Sequence, residues 1–136
     1  TGDFYQNHTP QIPDSCYIFP TATIIGDVVL GENVIAYPGV VIRGERHKVV
    51  IGDNTNLQEN STIHMEWDRD CIIGSGVTIG HNAIIHACTI CDNVLVGMGA
   101  IVQDGAVIGE NSFIGAGALI PRKMIVPPGS MVYGFP

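Results

Sequence analysis

A branched apolar residue recurs every six positions over most of this 136-residue chain. The repeat runs from Phe19 and Ile25 to Val126 and Val132, and a small or branched residue such as Thr55 stands four places after each key residue. An amphipathic helix would instead need apolar residues three and four positions apart, and a half-buried strand would need strict alternation. A period of six therefore predicts short strands joined by corners, wound so that each coil rests on the previous one and buries the key residues.

Composition and charge narrow the classes of protein that this chain can represent. Seventeen glycines, eight prolines and 14% charged residues suit many short strands and tight turns. The net charge of −7 and only six basic residues, which form no stripe, argue against nucleic acid or an anionic membrane as a partner. At this length we expect a single domain over residues 1–136.

The four cysteines bear on the compartment in which the protein works. Cys88 and Cys91 form one C-x-x-C pair without a second pair or a surrounding βαβ pattern, so we expect all four, with Cys16 and Cys71, to be reduced. No apolar run reaches the length of a membrane span, and no charged-then-apolar leader opens the chain. These features predict a cytoplasmic protein, although a chain that begins with Thr1 is also compatible with a targeting segment that has been removed.

The period alone does not reveal how many sides each coil has. The repeat resembles that of the hexapeptide-repeat superfamily over about residues 19–132. This resemblance implies an all-β fold, a left-handed parallel β-helix with three hexads per coil. The handedness rests on the resemblance, because the general rule for parallel crossover connections predicts the opposite hand.

Two histidines fall in one column of this arrangement. His64 follows the key residue Ile63, and His86 follows the key residue Ile85, three hexads later. With three hexads per coil the two side chains lie on the same side, one coil apart, at the strand spacing of about 4.8 Å. Two imidazoles at that spacing can bind one metal ion.

A third histidine lies on a different side of the predicted solenoid. His81 stands two places after the key residue Ile79, so it points outward near a corner and does not reach the other pair within its own chain. A neighbouring subunit could supply it, which predicts a homotrimer with three interfacial metal sites. His8 and His47 lie outside the column, and we predict no role for them.

Several segments resemble the γ-class carbonic anhydrase family. They are Ile42-Arg43-Gly44-Glu45, Asn56-Leu57-Gln58-Glu59, His64, Gly80-His81-Asn82-Ala83-Ile84-Ile85-His86 and Val96-Gly97-Met98-Gly99-Ala100. The resemblance implies that His64, His81 and His86 bind Zn²⁺, with Fe²⁺ or Co²⁺ as alternatives. Three imidazoles and a water make an open catalytic site. The implied reaction is the reversible hydration of carbon dioxide by a metal-bound hydroxide.

The same resemblance suggests roles for five further residues. Gln58 would hydrogen-bond the zinc-bound water or the substrate. Asn56 and Glu59 would contact the residues that bind the metal or the substrate. The alternative for Asn56 is a ladder of side chains at a coil corner. Arg43 completes the column of the two histidines and pairs in the family with the acid two positions later. It could bind bicarbonate or tie subunits together. Glu66, in the loop over residues 65–72, is either a proton shuttle or a solvated loop acid.

The departures from the family leave other functions open. The family's C-terminal helix is expected to be absent or truncated, because the chain ends at Tyr133-Gly134-Phe135-Pro136. One alternative is an acyl-CoA thioesterase-type metal hydrolase, whose small-molecule substrate would be an acyl thioester. A second is a non-catalytic scaffold. A hexapeptide acyltransferase, which would use a histidine as a general base, is disfavoured by the triple-ligand spacing.

Overall fold

The computed structural model describes residues 2–135, and within that range it contains 17 β-strands and no helix. The named strands pair in parallel and stack into a solenoid of about six turns. This confirms the predicted fold, a left-handed parallel β-helix of hexapeptide repeats. No helix able to span a membrane occurs in the described residues.

One side of the solenoid, which we call the first side, is a seven-stranded sheet. Its strands are β1 (Tyr17–Ile18), β3 (Ile35–Ala36), β5 (Asn56–Leu57), β8 (Thr78–Ile79), β11 (Leu95–Val96), β14 (Phe113–Ile114) and β17 (Met131–Val132).

The other two sides form one ten-stranded sheet that bends around a corner. Its strands are β2 (Thr23–Leu30), β4 (Val41–Ile51), β6 (Thr62–His64), β7 (Cys71–Ile73), β9 (Ile84–His86), β10 (Thr89–Ile90), β12 (Ile101–Val102), β13 (Val107–Ile108), β15 (Leu119–Ile120) and β16 (Ile125–Val126). The sheet is continuous because β2 and β4 are long enough to pass the corner, and β4 pairs with both β6 and β7. We call the side with β6 and β9 the second side and the side with β7 and β10 the third side.

The key apolar residues face the interior, with two corrections near the N-terminus. Ile24 is 1% exposed and pairs with Ile42, whereas Ile25 pairs with Arg43 on the outside. The prediction that Ile25 is a key residue was therefore wrong by one position. Phe19 is displaced in the same way, since its neighbour Ile18 packs against the core. Side chains alternate along a strand, so a shift of one residue exchanges the inner and outer faces.

Asparagines form many of the corners between strands. Six of them adopt φ angles between 57° and 64°: Asn33, Asn54, Asn60, Asn82, Asn93 and Asn111. Asparagine tolerates this left-handed conformation better than most residues because its short amide can bond to nearby backbone. Asn33 Nδ2 also donates a hydrogen bond to Asn54 Oδ1 one coil away, at 3.3 Å. These asparagines therefore serve as the turn residues between successive strands.

All four cysteines are free, as the sequence predicts. Cys71 and Cys88 are buried in the core, and Cys16 and Cys91 are half-buried. They pack as small apolar side chains in the part of the chain that the structure describes.

Gly26 provides a test of how tightly the coils are stacked. Its φ is +79°, and a Cβ atom there would overlap the carbonyl oxygen of Gly44 in the next coil. We expect Gly26→Ala to lower the free energy of unfolding by about 2–4 kcal/mol, from the left-handed conformation and the backbone collision together. Gly117 is the matched control, because its φ is +70° but no atom lies within 4 Å of a Cβ built there. Gly117→Ala should cost only about 1 kcal/mol, and equal losses in urea unfolding would contradict this account.

Candidate metal centre

The outer face of the second side carries a column of three polar side chains. Arg43 pairs with His64, and His64 pairs with His86, in the register of three stacked strands. This is the column that counting along the repeat predicts. The imidazoles meet at their edges, with His64 Nδ1 3.2 Å from His86 Nε2 and the ring centroids 5.3 Å apart.

The separation of these two nitrogens fits a shared metal ion. Two ligands of a tetrahedral zinc ion, each bound at 2.0–2.1 Å, lie about 3.3 Å apart. The second nitrogen of the first ring, His64 Nε2, is buried and has no hydrogen-bond partner among the described residues. Buried polar groups in proteins usually have partners. Two imidazoles at this spacing, one of them with an unpartnered nitrogen, have the ligand atoms and the geometry of a metal site.

Burial lowers the pKa of His64 below its usual value. The nearby charges of Arg43 and His86 lower it further, while Glu66 opposes them. His64 is therefore neutral at pH 7, which is the form in which an imidazole binds a metal ion.

Asp104 contacts the column and was missed by the sequence-based predictions. The His86 Nδ1 atom lies 2.6 Å from Asp104 Oδ1, so the ring's second nitrogen can donate to a carboxylate. Such a partner fixes the orientation of a ligating histidine and raises its basicity. Burial raises the pKa of Asp104, but the hydrogen bond and charge of His86, helped by Arg122, keep it below the usual value. The sequence could have indicated this contact, because Asp104 stands two places after Val102, and Val102 lies in the coil that stacks on the strand of His86, β9.

Glu66 lies beside the same histidine. The loop after β6 closes in a tight turn in which Glu66 and Arg69 form an antiparallel bridge. This turn brings the Glu66 carboxylate to a group in which ligand atoms of Glu66, His86 and Asp104 lie within 4.8 Å of one another. The predicted shuttle residue is therefore next to the column and half-buried.

His81 lies elsewhere on the molecule, as predicted. Its side chain is 47% exposed just beyond the end of the first side, and its Nδ1 atom lies 3.0 Å from Glu59 Oε1. His81 does not join His64 and His86 within this chain. Among residues 2–135, the one group of three candidate ligands whose atoms lie within 4.8 Å of one another does not include His81. Glu59 thus supports His81 in the way that Asp104 supports His86.

Gln58 and Asn56 accompany His81 on the first side. Gln58 and His81 line one small cavity. Gln58 Nε2 donates to Asn56 Oδ1 at 3.4 Å, and Asn56 Nδ2 donates to Thr78 Oγ1 in the next coil at 3.1 Å. Asn56 therefore forms a ladder between coils, which was the structural alternative for this residue, and it also orients the Gln58 amide.

Arg43 forms an ion pair with Glu45, the acid two positions later that the resemblance implies. Glu45 Oε2 also lies 3.8 Å from His64 Nε2, beyond hydrogen-bond distance. Arg43 is 43% exposed, so its charge is partly screened and largely balanced by Glu45.

The candidate residues therefore form two groups on different sides of one chain. The second side holds Arg43, His64, His86 and Glu66, and the corner of the first side holds Asn56, Gln58, Glu59 and His81. Three histidines can converge on one ion only if the two groups come from different chains.

Comparison with known proteins connects this arrangement to a family. A profile described as "Bacterial transferase hexapeptide (six repeats)" matches residues 87–122. A carbonic anhydrase of Geobacillus kaustophilus is 44% identical over 102 residues, covering 75% of this chain and 56% of that protein. A protein of Methanocaldococcus jannaschii named "Probable carbonic anhydrase" is 48% identical over 115 residues, covering 85% of this chain and 72% of its own length.

A solved structure extends the similarity to almost the whole chain. A hexapeptide transferase family protein from Anaplasma phagocytophilum superimposes with a TM-score of 0.94 at 42% identity, covering 98% of this chain and 79% of that one. The chain spans about half the length of several curated relatives that it matches, 56% in the Geobacillus protein and 48% in two others. By its sequence and its fold, this chain belongs to the γ-class carbonic anhydrase-like family of hexapeptide-repeat proteins.

Proposed function

We propose that the chain is one subunit of a homotrimeric metalloenzyme that hydrates carbon dioxide reversibly at sites between subunits. The observation that supports this most is the 3.2 Å approach of His64 Nδ1 and His86 Nε2. His64 and His86 of one subunit, with His81 of the next, would hold a zinc, iron or cobalt ion. When bound, zinc acts as a Lewis acid that lowers the pKa of a water molecule to about 7.

Gln58 is the residue proposed to orient the reacting molecules. It lies beside His81, and its Nε2 atom is tethered to Asn56, so its side chain has a defined direction. In the trimer, Gln58 and His81 would arrive together at the histidine pair of the neighbouring chain. An amide can donate to one oxygen of the substrate and accept from a water without adding a competing charge.

Glu66 is the proposed acceptor for the proton that hydration releases. Its carboxylate lies beside His86 and Asp104, on a loop that reaches the surface. A carboxylate there can take a proton at one oxygen and pass it to solvent. The Arg43–Glu45 ion pair lies next to His64 and would stand at the boundary between subunits, where its two charges largely cancel.

A second candidate function is acyl chemistry, because one solved relative is named as a hexapeptide transferase family protein. The His86–Asp104 pair resembles the base of such an enzyme, in which a carboxylate supports a histidine. The Nε2 atom of His86, however, faces His64 Nδ1 at 3.2 Å. This favours a metal site, which could hydrate carbon dioxide or hydrolyse an acyl thioester, over transfer by a general base.

Metal analysis and kinetics test the proposal together. We expect about one metal ion per chain, and stopped-flow hydration of carbon dioxide that His64→Ala lowers at least a hundredfold. Thioester hydrolysis and acetyl transfer are measured on the same preparations. Substantially less than one metal ion per chain, or acetyl transfer that survives His64→Ala without any hydration, would contradict a carbonic anhydrase.

A further inference from the structure

Three segments that do not follow the repeat meet at one cavity of about 390 Å³. The first is the N-terminal turn in which Tyr5 and His8 form a bridge. The second is the long corner of β4, and the third is the loop that follows His64. The cavity is lined by Gln6, His8, Glu45, Arg46 and Trp67.

Arg46 and Trp67 form one wall of this cavity. The guanidinium carbon of Arg46 lies 4.5 Å from the centre of the Trp67 ring, in a cation–π contact. The Trp67 backbone N–H donates to Glu66 Oε1 at 2.8 Å, and the indole remains 68% exposed. A guanidinium over an indole ring can keep N–H groups along its edges available for a ligand.

The charge of Arg46 is not balanced by a carboxylate. Arg43 is paired with Glu45, and Arg69 is paired with Asp68, but Arg46 forms no ion pair with any residue between 2 and 135. Glu45 also lines the cavity, and its charge is offset by Arg43. Arg46 is therefore a cation in a cavity whose one lining carboxylate, Glu45, is already paired with Arg43, and such a cation can bind an anion from solution.

We propose that this cavity binds a planar oxyanion of the carboxylate type, held by two N–H groups of Arg46 and flanked by Trp67. A guanidinium edge matches such an anion through two parallel hydrogen bonds. Glu45 lines the cavity and reaches to 3.8 Å from His64, so the cavity adjoins the candidate metal centre. The assignment of the anion as bicarbonate rests on the proposed function, whereas the site itself does not.

Trp67 is the single tryptophan of the chain and reports on the site directly. In the purified, metal-containing protein we expect its fluorescence to change saturably with bicarbonate and with acetate, but not with chloride at equal ionic strength. Arg46→Gln should weaken the apparent affinity for bicarbonate at least tenfold. Arg46→Lys, which keeps the charge but loses the planar edge, should weaken it about threefold or more.

Lys48→Gln is the matched control, since Lys48 is an exposed cation on the same long corner of β4 but outside the cavity, and it should retain the wild-type affinity. An equal response to chloride, or wild-type affinity in Arg46→Gln, would overturn the site. Tighter binding of acetate than of bicarbonate would overturn the assignment to bicarbonate. The titration needs no turnover, so an inactive protein that retains the Arg46-dependent response contradicts the proposed function alone. An active protein without this response contradicts only the anion site.

Discussion

Mixing two inactive variants, His81→Ala and His86→Ala, is expected to restore about a quarter of the wild-type hydration activity. Each proposed site takes His81 from one chain and His86 from its neighbour. In a randomly mixed trimer, a site is intact only when an unaltered His81 meets an unaltered His86, which occurs for about one site in four. Each variant alone has no intact site.

The experiment uses chains that are unfolded, mixed in equal amounts and refolded together, followed by stopped-flow assay and metal analysis. The matched control is a mixture of His64→Ala with His86→Ala, whose lesions lie in the same group on the second side. No combination of those chains forms an intact site, so activity and metal content should stay at the level of the single variants. Recovery in both mixtures, or in neither, would contradict a site shared between subunits.

Asp104→Ala is expected to weaken metal binding about 10- to 100-fold, the usual cost of removing the partner of a ligating histidine. Asp104 accepts a 2.6 Å hydrogen bond from His86 Nδ1 and so turns the opposite nitrogen toward His64. Without the carboxylate, the ring can rotate or change tautomer, and a smaller fraction of the protein presents both nitrogens together. Asp104→Asn, which keeps an oxygen acceptor, should recover part of the affinity.

Competition with a chelator at constant pH measures this effect without reference to turnover. Asp70→Ala is the matched control, because Asp70 accepts a similar contact of 3.2 Å from His47 outside the column. It should leave the metal affinity unchanged. If Asp70→Ala and Asp104→Ala weaken binding equally, then Asp104 acts through general stability and does not orient His86.

The histidine column was predictable from the sequence because a buried hexad repeat determines the register of stacked coils. Once Ile63 and Ile85 occupy the same position in successive coils, the residues that follow them must stack, and His64 and His86 do so. The same counting was wrong for Phe19 and Ile25, which adjoin other apolar residues that also satisfy the period. Counting by six back from Ile42 through Ala36 and Leu30 gives Ile24 and Ile18, and the pairing of Ile24 with Ile42 agrees with this strict count.

The residues that the sequence did not predict lie at a corner of the solenoid or in the inserted segments. Asp104 reaches His86 from a corner of the next coil, and Arg46 meets Trp67 across two separate loops. Counting gives the coil in which Asp104 lies but not the direction of a corner side chain, and it gives nothing for the inserted segments, which have no period. By itself, the sequence determined a repeat of short strands around a buried apolar core, because no helix or hairpin has a period of six. With the three-sided coil that the family resemblance implied, the same count determined the stacking of His64 on His86 and the separate position of His81. The tertiary structure alone decided the 3.2 Å approach of the imidazoles, the Asp104 contact and the Arg46–Trp67 cavity, because each depends on side-chain positions across coils and loops.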